Sequence, residues 1–278
     1  MELNAPLLLS RYQPEELIAR GGSASVYRAR DIHLGRDVAV KVFRAGSEPE
    51  LERAREELRF LARLGHHGIV AVLDAGIDES SPDDPRPFLV MALAQGSSVR
   101  DLIHAGTLDA QAIGGIGFEV AEALDYIHHH GVIHRDVSPS NIILVDYRAT
   151  GSRPRAVLTD FGLAVQSGWT PSDDEAAEGT AAYLSPEQAR RDTLTPAADI
   201  YSLGLVLLEC FTRELAFPGT PIASAMARVS TDPVIPKTIA KPWRALLSEM
   251  TSRDPASRPE ASVVLDRIRG ILRTTRRS

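Results

Sequence analysis

The chain has 278 residues, 44% of them hydrophobic and 24% charged, with a formal net charge of -6; that is enough to bury one large core or two smaller ones, and gives no reason to expect a nucleic-acid partner. Cys210 is the only cysteine and lies in an apolar run, which excludes an intrachain disulfide and reads as a small buried hydrophobe of a reducing compartment. With no basic leader, small-residue cleavage site or apolar run of roughly 18 residues, the expected location is cytoplasmic, although the basic tail from Arg267 to Ser278 is also what a chain continuing into a membrane anchor would show.

Leu17 to Tyr27 reads as strand, turn, strand, and Val38 to Val42 as a further strand of branched residues. Gly21 and Gly22 lie in the turn, where a small side chain permits close backbone approach to a phosphate. The helix-opening dinucleotide motif is excluded, because a strand follows. Lys41, flanked by valines on a strand, needs a reason to be buried or paired. From Glu50 to Leu64, the residues Leu51, Ala54, Leu58, Leu61 and Leu64 recur at helical spacing. Glu57 sits on the flank of that apolar stripe, whereas Glu56 shares a face with Arg53, Phe60 and Arg63. His66 and His67 lack a third ligand at a metal-binding spacing. Gly76 to Pro87, rich in Asp, Ser and Pro, is expected as a surface loop, and Phe88 to Met91 as the strand after it.

Asp109 to His129 is predicted as a long helix with Ile113, Ile116, Val120, Leu124 and Ile127 on one face and Gly131 as its C-cap. His128, His129 and His130 end it, where imidazoles favour the helix dipole, and are expected to be solvated. Next comes His134-Arg135-Asp136-Val137-Ser138-Pro139-Ser140-Asn141, with Asp160-Phe161-Gly162 nineteen residues after Asn141. Between them run two β-rich stretches, Ile142 to Val145 and Ala156 to Leu158. A polar loop before one strand and an acidic tripeptide after the next bring Asp136, Asn141 and Asp160 to one end of a two-stranded unit. A carboxylate and an amide near a second carboxylate can hold Mg²⁺ on a triphosphate while Asp136 accepts a hydroxyl proton.

These motifs resemble those of the eukaryotic-like bacterial Ser/Thr protein kinases, whose HRDxxxxN and DFG signatures match. Val38-Ala39-Val40-Lys41, His66-His67-Gly68-Ile69-Val70 and Gly179-Thr180-Ala181-Ala182-Tyr183-Leu184-Ser185-Pro186-Glu187 also resemble that family, and the likeness runs from Leu17 through Ile271. The family's glycine-rich turn is matched in part: Gly21 is in register, while Ala19 and Ala24 stand for the outer glycines. The resemblance implies an α+β, bilobal protein-kinase-like fold. Residues 1–92 would form a small antiparallel sheet lobe with one helix and residues 93–278 a larger, mainly helical lobe, together one kinase domain.

It further implies transfer of the ATP γ-phosphate to Ser or Thr of proteins, the chain itself included, with a homodimer as one route to autophosphorylation. Asp136 would be the base, Lys41 the phosphate clamp held by Glu57, and Asn141 with Asp160 the ligands of Mg²⁺ or Mn²⁺; Thr180 would help present the acceptor. ATP would lie against Ile18, Ala19, Arg20, Gly21, Gly22, Ser23, Ala24, Ser25 and Val26, then Ala39, Lys41 and Leu144, with Met91 as gatekeeper and Ala92, Leu93 and Ala94 as hinge. Glu187 would pair with Arg258, Asp199 would hold the catalytic loop's backbone, and His134 would pack with Phe161, Leu61 and Val72.

Two departures stand out. Ser138 occupies the position where these kinases carry a lysine, and losing one such transition-state donor typically costs on the order of 10²–10³ in rate. A slow or compensated kinase is the expectation, with a nucleotide-binding pseudokinase scaffold as the alternative; Ser-Pro-Ser could instead hold the loop with local hydroxyl bonds. Second, Asp173-Asp174-Glu175 occupies a stretch where related kinases place phosphothreonines, as a partial substitute for phosphate facing Arg135 or as a solvated acidic loop. A small-molecule kinase of the aminoglycoside-phosphotransferase kind is disfavoured, because it would lack the Ser185-Pro186-Glu187 motif.

Overall fold

Alternation of branched and polar residues in the first ninety positions builds antiparallel strands. The computed structural model describes residues 8, 10–20, 24–43, 62–78, 85–146, 153–161, 164–166, 168 and 181–275. The chain divides into two compact units, Met1–Ala94 and Gln95–Ser278.

The first unit is a five-stranded antiparallel sheet of β1 (Tyr12–Arg20), β2 (Ala24–Asp31), β3 (Arg36–Phe43), β4 (Val72–Asp78) and β5 (Arg86–Ala92), in the order β1-β2-β3-β5-β4. Leu8, Tyr12, Ala29, Val38, Val40, Phe88 and Val90 form its core. Successive side chains of a strand point to opposite faces, so Ala39 and Lys41 turn away from that core, yet both are buried. The expected loop from Gly76 to Pro87 is shorter than predicted. Gly76, Ile77 and Asp78 pair with Phe88, Pro87 and Arg86, because the ladder to β5 supplies backbone partners that local composition does not announce. Glu57 and most of its expected helix lie outside the described residues.

One buried carboxylate ties this sheet together. Asp31 is fully buried and accepts from Arg11 Nε (3.0 Å) and Nη2 (2.8 Å) and from the amides of His33 and Leu34 (both 3.2 Å). The Arg11 guanidinium, aided by the two amides, holds its carboxyl at about 2, well below its ordinary value. Arg11 also reaches Asp74 (3.3 Å), which accepts from Tyr12 Oη (2.6 Å).

The second unit contains, among the described residues, seven α-helices: α1 (Val99–Ala105), α2 (Ala110–His129), α3 (Pro186–Arg190), α4 (Ala197–Thr212), α5 (Pro221–Ser230), α6 (Lys241–Met250) and α7 (Ala261–Thr275). None of the described helices is long and apolar enough to cross a membrane. Small sheets accompany them: β6 (Gly96–Ser98), β8 (Ile142–Val145) and β9 (Arg155–Leu158) in the order β6-β8-β9, and β7 (Val132–Ile133) paired with β10 (Val165–Gln166). At Gly96 any Cβ would overlap the Leu144 carbonyl oxygen, so only glycine lets β6 approach β8 here.

Helix α4 is the centre of this unit, with Ala198 through Cys210 all buried. Burial pushes the Cys210 thiol up to about 12, so the lone cysteine is an inert packing residue. The predicted long helix is α2. Its N-cap is Asp109, whose carboxylate accepts from the Ala112 amide at 2.7 Å. Its C-cap is His130, one residue before the predicted Gly131, which follows in the left-handed conformation at φ 74°.

Glu187 at the start of α3 meets Arg258 in a two-pronged bridge of 2.6 and 2.9 Å with both side chains almost fully buried. Arg258 also donates to the Ala197 carbonyl (2.8 Å) and lies over the Tyr201 ring. The bridge therefore joins α3, α4 and the turn before α7.

Two outcomes follow from these buried charges. Replacing Glu187→Gln leaves Arg258 without its counter-charge and is expected to cost roughly 3–5 kcal/mol in denaturant unfolding. The double variant Glu187→Leu with Arg258→Met recovers only part of that loss, because Arg258 also donates to the Ser252, Ala197 and Arg253 carbonyls. In the first unit, Asp31 contributes stability that is complete above its unfolded value of 3.8 and lost as pH falls through about 2. The melting-temperature gap between Asp31→Asn and the parent is therefore expected to be widest near neutral pH and to narrow below about pH 4.

Candidate active site

The polar loop from His134 to Asn141 connects β7 to β8, and its backbone is held from beneath by α4. Asp199, in the first turn of α4 and fully buried, accepts from the amides of His134 (2.8 Å) and Arg135 (2.9 Å). Burial alone would raise its carboxyl, but the bonds from His128 and the loop amide outweigh that and hold it below the ordinary value. His128 Nε2 stands 2.9 Å from Asp199. This corrects the expectation of three solvated histidines: His129 and His130 are exposed, whereas α2 turns His128 inward onto a carboxylate supplied by α4.

The peptide just before Asp136 is gripped at both poles. Its amide donates to His134 Nδ1 (3.3 Å), and the Arg135 carbonyl accepts from Gln188 Nε2 (2.9 Å). His134 is fully buried, with Nε2 3.0 Å from the Thr159 carbonyl and its ring edge-on to Phe161 at 4.8 Å. Only the neutral tautomer protonated on Nε2 satisfies both ring contacts, donating to Thr159 and accepting from Asp136. Arg135 takes φ 68°, a strained choice for a residue with a side chain that persists because its surroundings over-determine it.

Asn141 closes the loop onto Asp136. Its Nδ2 donates to the Asp136 carboxylate Oδ2 (2.8 Å) and main-chain oxygen (2.9 Å). Both partners are oxygens, so the amide orientation is chemically dictated, and Oδ1 points away as the ligand-capable atom. The β8–β9 ladder pairs Ile142 with Leu158, after which the Thr159 amide and Oγ1 both reach the Asn141 carbonyl, at 2.8 and 3.1 Å. Asp160 follows at φ 65°. The predicted gathering of Asp136, Asn141 and Asp160 at one end of this hairpin is what the register produces.

Ser138 is fully buried in extended backbone, caps nothing, and its Oγ has no hydrogen-bond partner among the described residues. The reading in which its hydroxyl holds the loop is therefore corrected. The loop is held instead by the Asp199, His134, Asn141 and Gln188 side chains and by main-chain bonds such as Asn141 N–H to Ser138 O (3.0 Å).

In the first unit, Lys41 lies between Val26 on β2 and Leu89 on β5, is 6% exposed, and sits 5.4 Å from the centre of the Phe43 ring. Ala39 is opposite Met91, and both are buried. The Ala92 amide donates to the Ala71 carbonyl at 2.9 Å. Ala24 is buried, Ser25 and Val26 half-buried, and Ile18, Ala19 and Arg20 exposed, with Leu93 and Ala94 half-buried. Leu144 belongs to the second unit, on β8 between Ser97 and Ala156. Gly21, Gly22, Ser23, Glu57, Gly162, Asp173 to Glu175 and Thr180 lie outside the described residues.

Segment 181–188 carries residues that the sequence reading passed over. Tyr183 donates to Glu209, and Arg100 reaches both of them; burial and the Glu209 carboxylate push the Tyr183 phenol up. Ser202 Oγ donates to the Tyr183 carbonyl (2.7 Å), and the fully buried Arg228 donates to the Leu184 carbonyl. Arg228 has no carboxylate partner among the described residues and lies 5.4 Å from the Phe217 ring centre. Nothing in local sequence marks Arg228. Gln188 follows the Ser185-Pro186-Glu187 motif and is the third helical position after Ser185, the Gln of a capping box.

A family model for the protein kinase domain matches residues 12–267. The chain is 41% identical over 238 residues to the serine/threonine-protein kinase PknB of Mycolicibacterium smegmatis, covering 82% of this chain and 37% of that protein. It is 38% identical over 262 residues to PknB of Mycobacterium tuberculosis, covering 91% of this chain and 41% of the relative. Against a probable serine/threonine-protein kinase of Streptomyces coelicolor the identity is 35% over 264 residues, covering 91% and 38%. The chain thus spans about two fifths of the length of these curated relatives. With the antiparallel sheet, the helical unit and the loop that joins Asp136 to Asn141 in place, the chain belongs to the protein kinase domain family.

Proposed function

We propose that this chain is a Ser/Thr protein kinase that transfers the γ-phosphate of ATP to protein hydroxyls, itself included, and that it works in the cytoplasm. The observation that carries the reading is the Asn141 clamp on Asp136 (2.8 and 2.9 Å). It engages Oδ2 through a neutral amide, so the carboxylate stays oriented and its other oxygen can take the proton of an acceptor hydroxyl. Asn141 Oδ1 and the Asp160 carboxylate form a hard-oxygen donor set that fits Mg²⁺, or Mn²⁺ in its place. When bound there, the ion neutralises phosphate charge. Lys41 is the phosphate clamp, and catalysis is mainly positioning and charge neutralisation.

Ser138 supplies no ammonium, and the glycine-poor turn with Ala19 and Ala24 also favours a second reading, a nucleotide-binding scaffold with little transfer. Incubation with labelled ATP and Mg²⁺ or Mn²⁺ separates the two. A kinase labels a test protein and itself, and Asp136→Asn reduces labelling at least about 10³-fold with little change in melting temperature. A scaffold shows a nucleotide-dependent rise in melting temperature and no label. Ser138→Lys is expected to raise kcat on the order of 10²-fold; an unchanged kcat at equal stability would mean that this position does not limit the reaction.

A further inference from the structure

A side chain of segment 181–188, Gln188, reaches the loop that carries Asp136. Gln188 is only 7% exposed, and both ends of its amide are used. Its Oε1 accepts from the Ser185 amide (2.9 Å), as a capping-box residue does. Its Nε2 leaves the helix and donates to the Arg135 carbonyl (2.9 Å), the oxygen of the peptide that leads into Asp136. A helix cap needs only the first of these bonds. The second has no role in forming α3.

The surroundings give the second bond its meaning. Upstream of Gln188 the segment is pinned at three points: the Tyr183 carbonyl by Ser202 (2.7 Å), the Leu184 carbonyl by Arg228, and Glu187 by Arg258 (2.6 and 2.9 Å). On the loop side, the Arg135–Asp136 peptide is already held at its amide by His134 and, one residue earlier, by Asp199. Gln188 takes its carbonyl, on a residue held at φ 68°. The position of the 181–188 segment is thereby transmitted to the orientation of Asp136 through one amide.

We propose that Gln188 is a positioning residue for the phosphoryl-transfer step: it holds the peptide before Asp136 in place only while the 181–188 segment is seated. The proposal rests on the kinase reading above. Gln188→Glu keeps the length and the acceptor for Ser185, and a Glu is itself a normal capping-box residue, but it cannot donate to Arg135 when ionised. Gln188→Met keeps the length and removes both bonds. The expected result is a fall in kcat of about tenfold for both variants, the factor one net hydrogen bond supplies, with KM for ATP within about twofold of the parent. Rates are normalised to folded protein by melting curves.

A Gln188→Glu enzyme as fast as the parent, with only Gln188→Met impaired, would reduce Gln188 to a helix cap and overturn the proposal. So would rate losses in both that merely track the unfolded fraction. If Gln188→Glu fails to fold, Gln188→Met is compared with Ser185→Ala, which weakens the cap and leaves the Arg135 bond. About a tenfold kcat loss in Gln188→Met at unchanged KM, with Ser185→Ala as fast as the parent, supports the proposal; equal losses in the two or an unchanged kcat overturns it. A parent protein that labels nothing sinks the kinase reading and this proposal together, whereas an active parent with equally active variants sinks this proposal alone.

Discussion

The second unit depends on one buried carboxylate. Asp199 receives two successive loop amides and an imidazole, and a charge at that depth is tolerable only because every contact it makes is a donor. In return it sets the path of the loop through a left-handed residue, Arg135, which a loop of ordinary sequence would avoid. Asp136 and Asn141 inherit their positions from that path. The neighbouring peptide plane is then finished by His134 on one side and Gln188 on the other.

The polar groups of this chain divide by what they hold. Asp199, Gln188, Ser202 and Arg228 grip main-chain carbonyls or amides of segments that have no regular partner. Glu187 with Arg258 and Asp31 with Arg11 instead tie elements together. Groups of the first kind are specific to the loop they serve, and hydrophobic isosteres could not replace them, because the backbone groups would then be orphaned. Groups of the second kind are ion pairs that also carry backbone bonds, from the His33 and Leu34 amides to Asp31 and from Arg258 to the Ala197 carbonyl, so removing both partners still leaves those backbone groups to be satisfied. Helix α4 carries two groups of the first kind, Asp199 and Ser202, on a largely apolar rod at the centre of the unit.

Much of the site could be read from one-dimensional order. Two short branched runs with a polar loop before and an acidic turn after leave few arrangements, and pairing Ile142 with Leu158 delivers Asn141 and Asp160 to one end. Less legible were contacts whose partners lie far along the chain. His128 looked like one of three solvated imidazoles until Asp199, 71 positions later, claimed it. The extent of β4 was missed because Gly76 to Asp78 have poor strand composition, and their ladder to β5 overrides it. Ser138 was read as a possible loop tie; its burial without a partner among the described residues is a property of packing and is not encoded in Ser-Pro-Ser.

By itself the amino-acid order determined which residue types were available and their local periodicity: the strand lysine, the loop from His134 to Asn141, the long helix α2 and the apolar α4. These follow from short-range sterics and burial patterns, which act over a few residues. Only the tertiary structure decided which carboxylate meets which amide. Gln188 reaching Arg135 across 53 positions, and Arg228 reaching Leu184 across 44, depend on where separate helices come to rest. A hydrogen bond is directional and spans about 3 Å, so its partner is settled by packing, after local propensity has done its part.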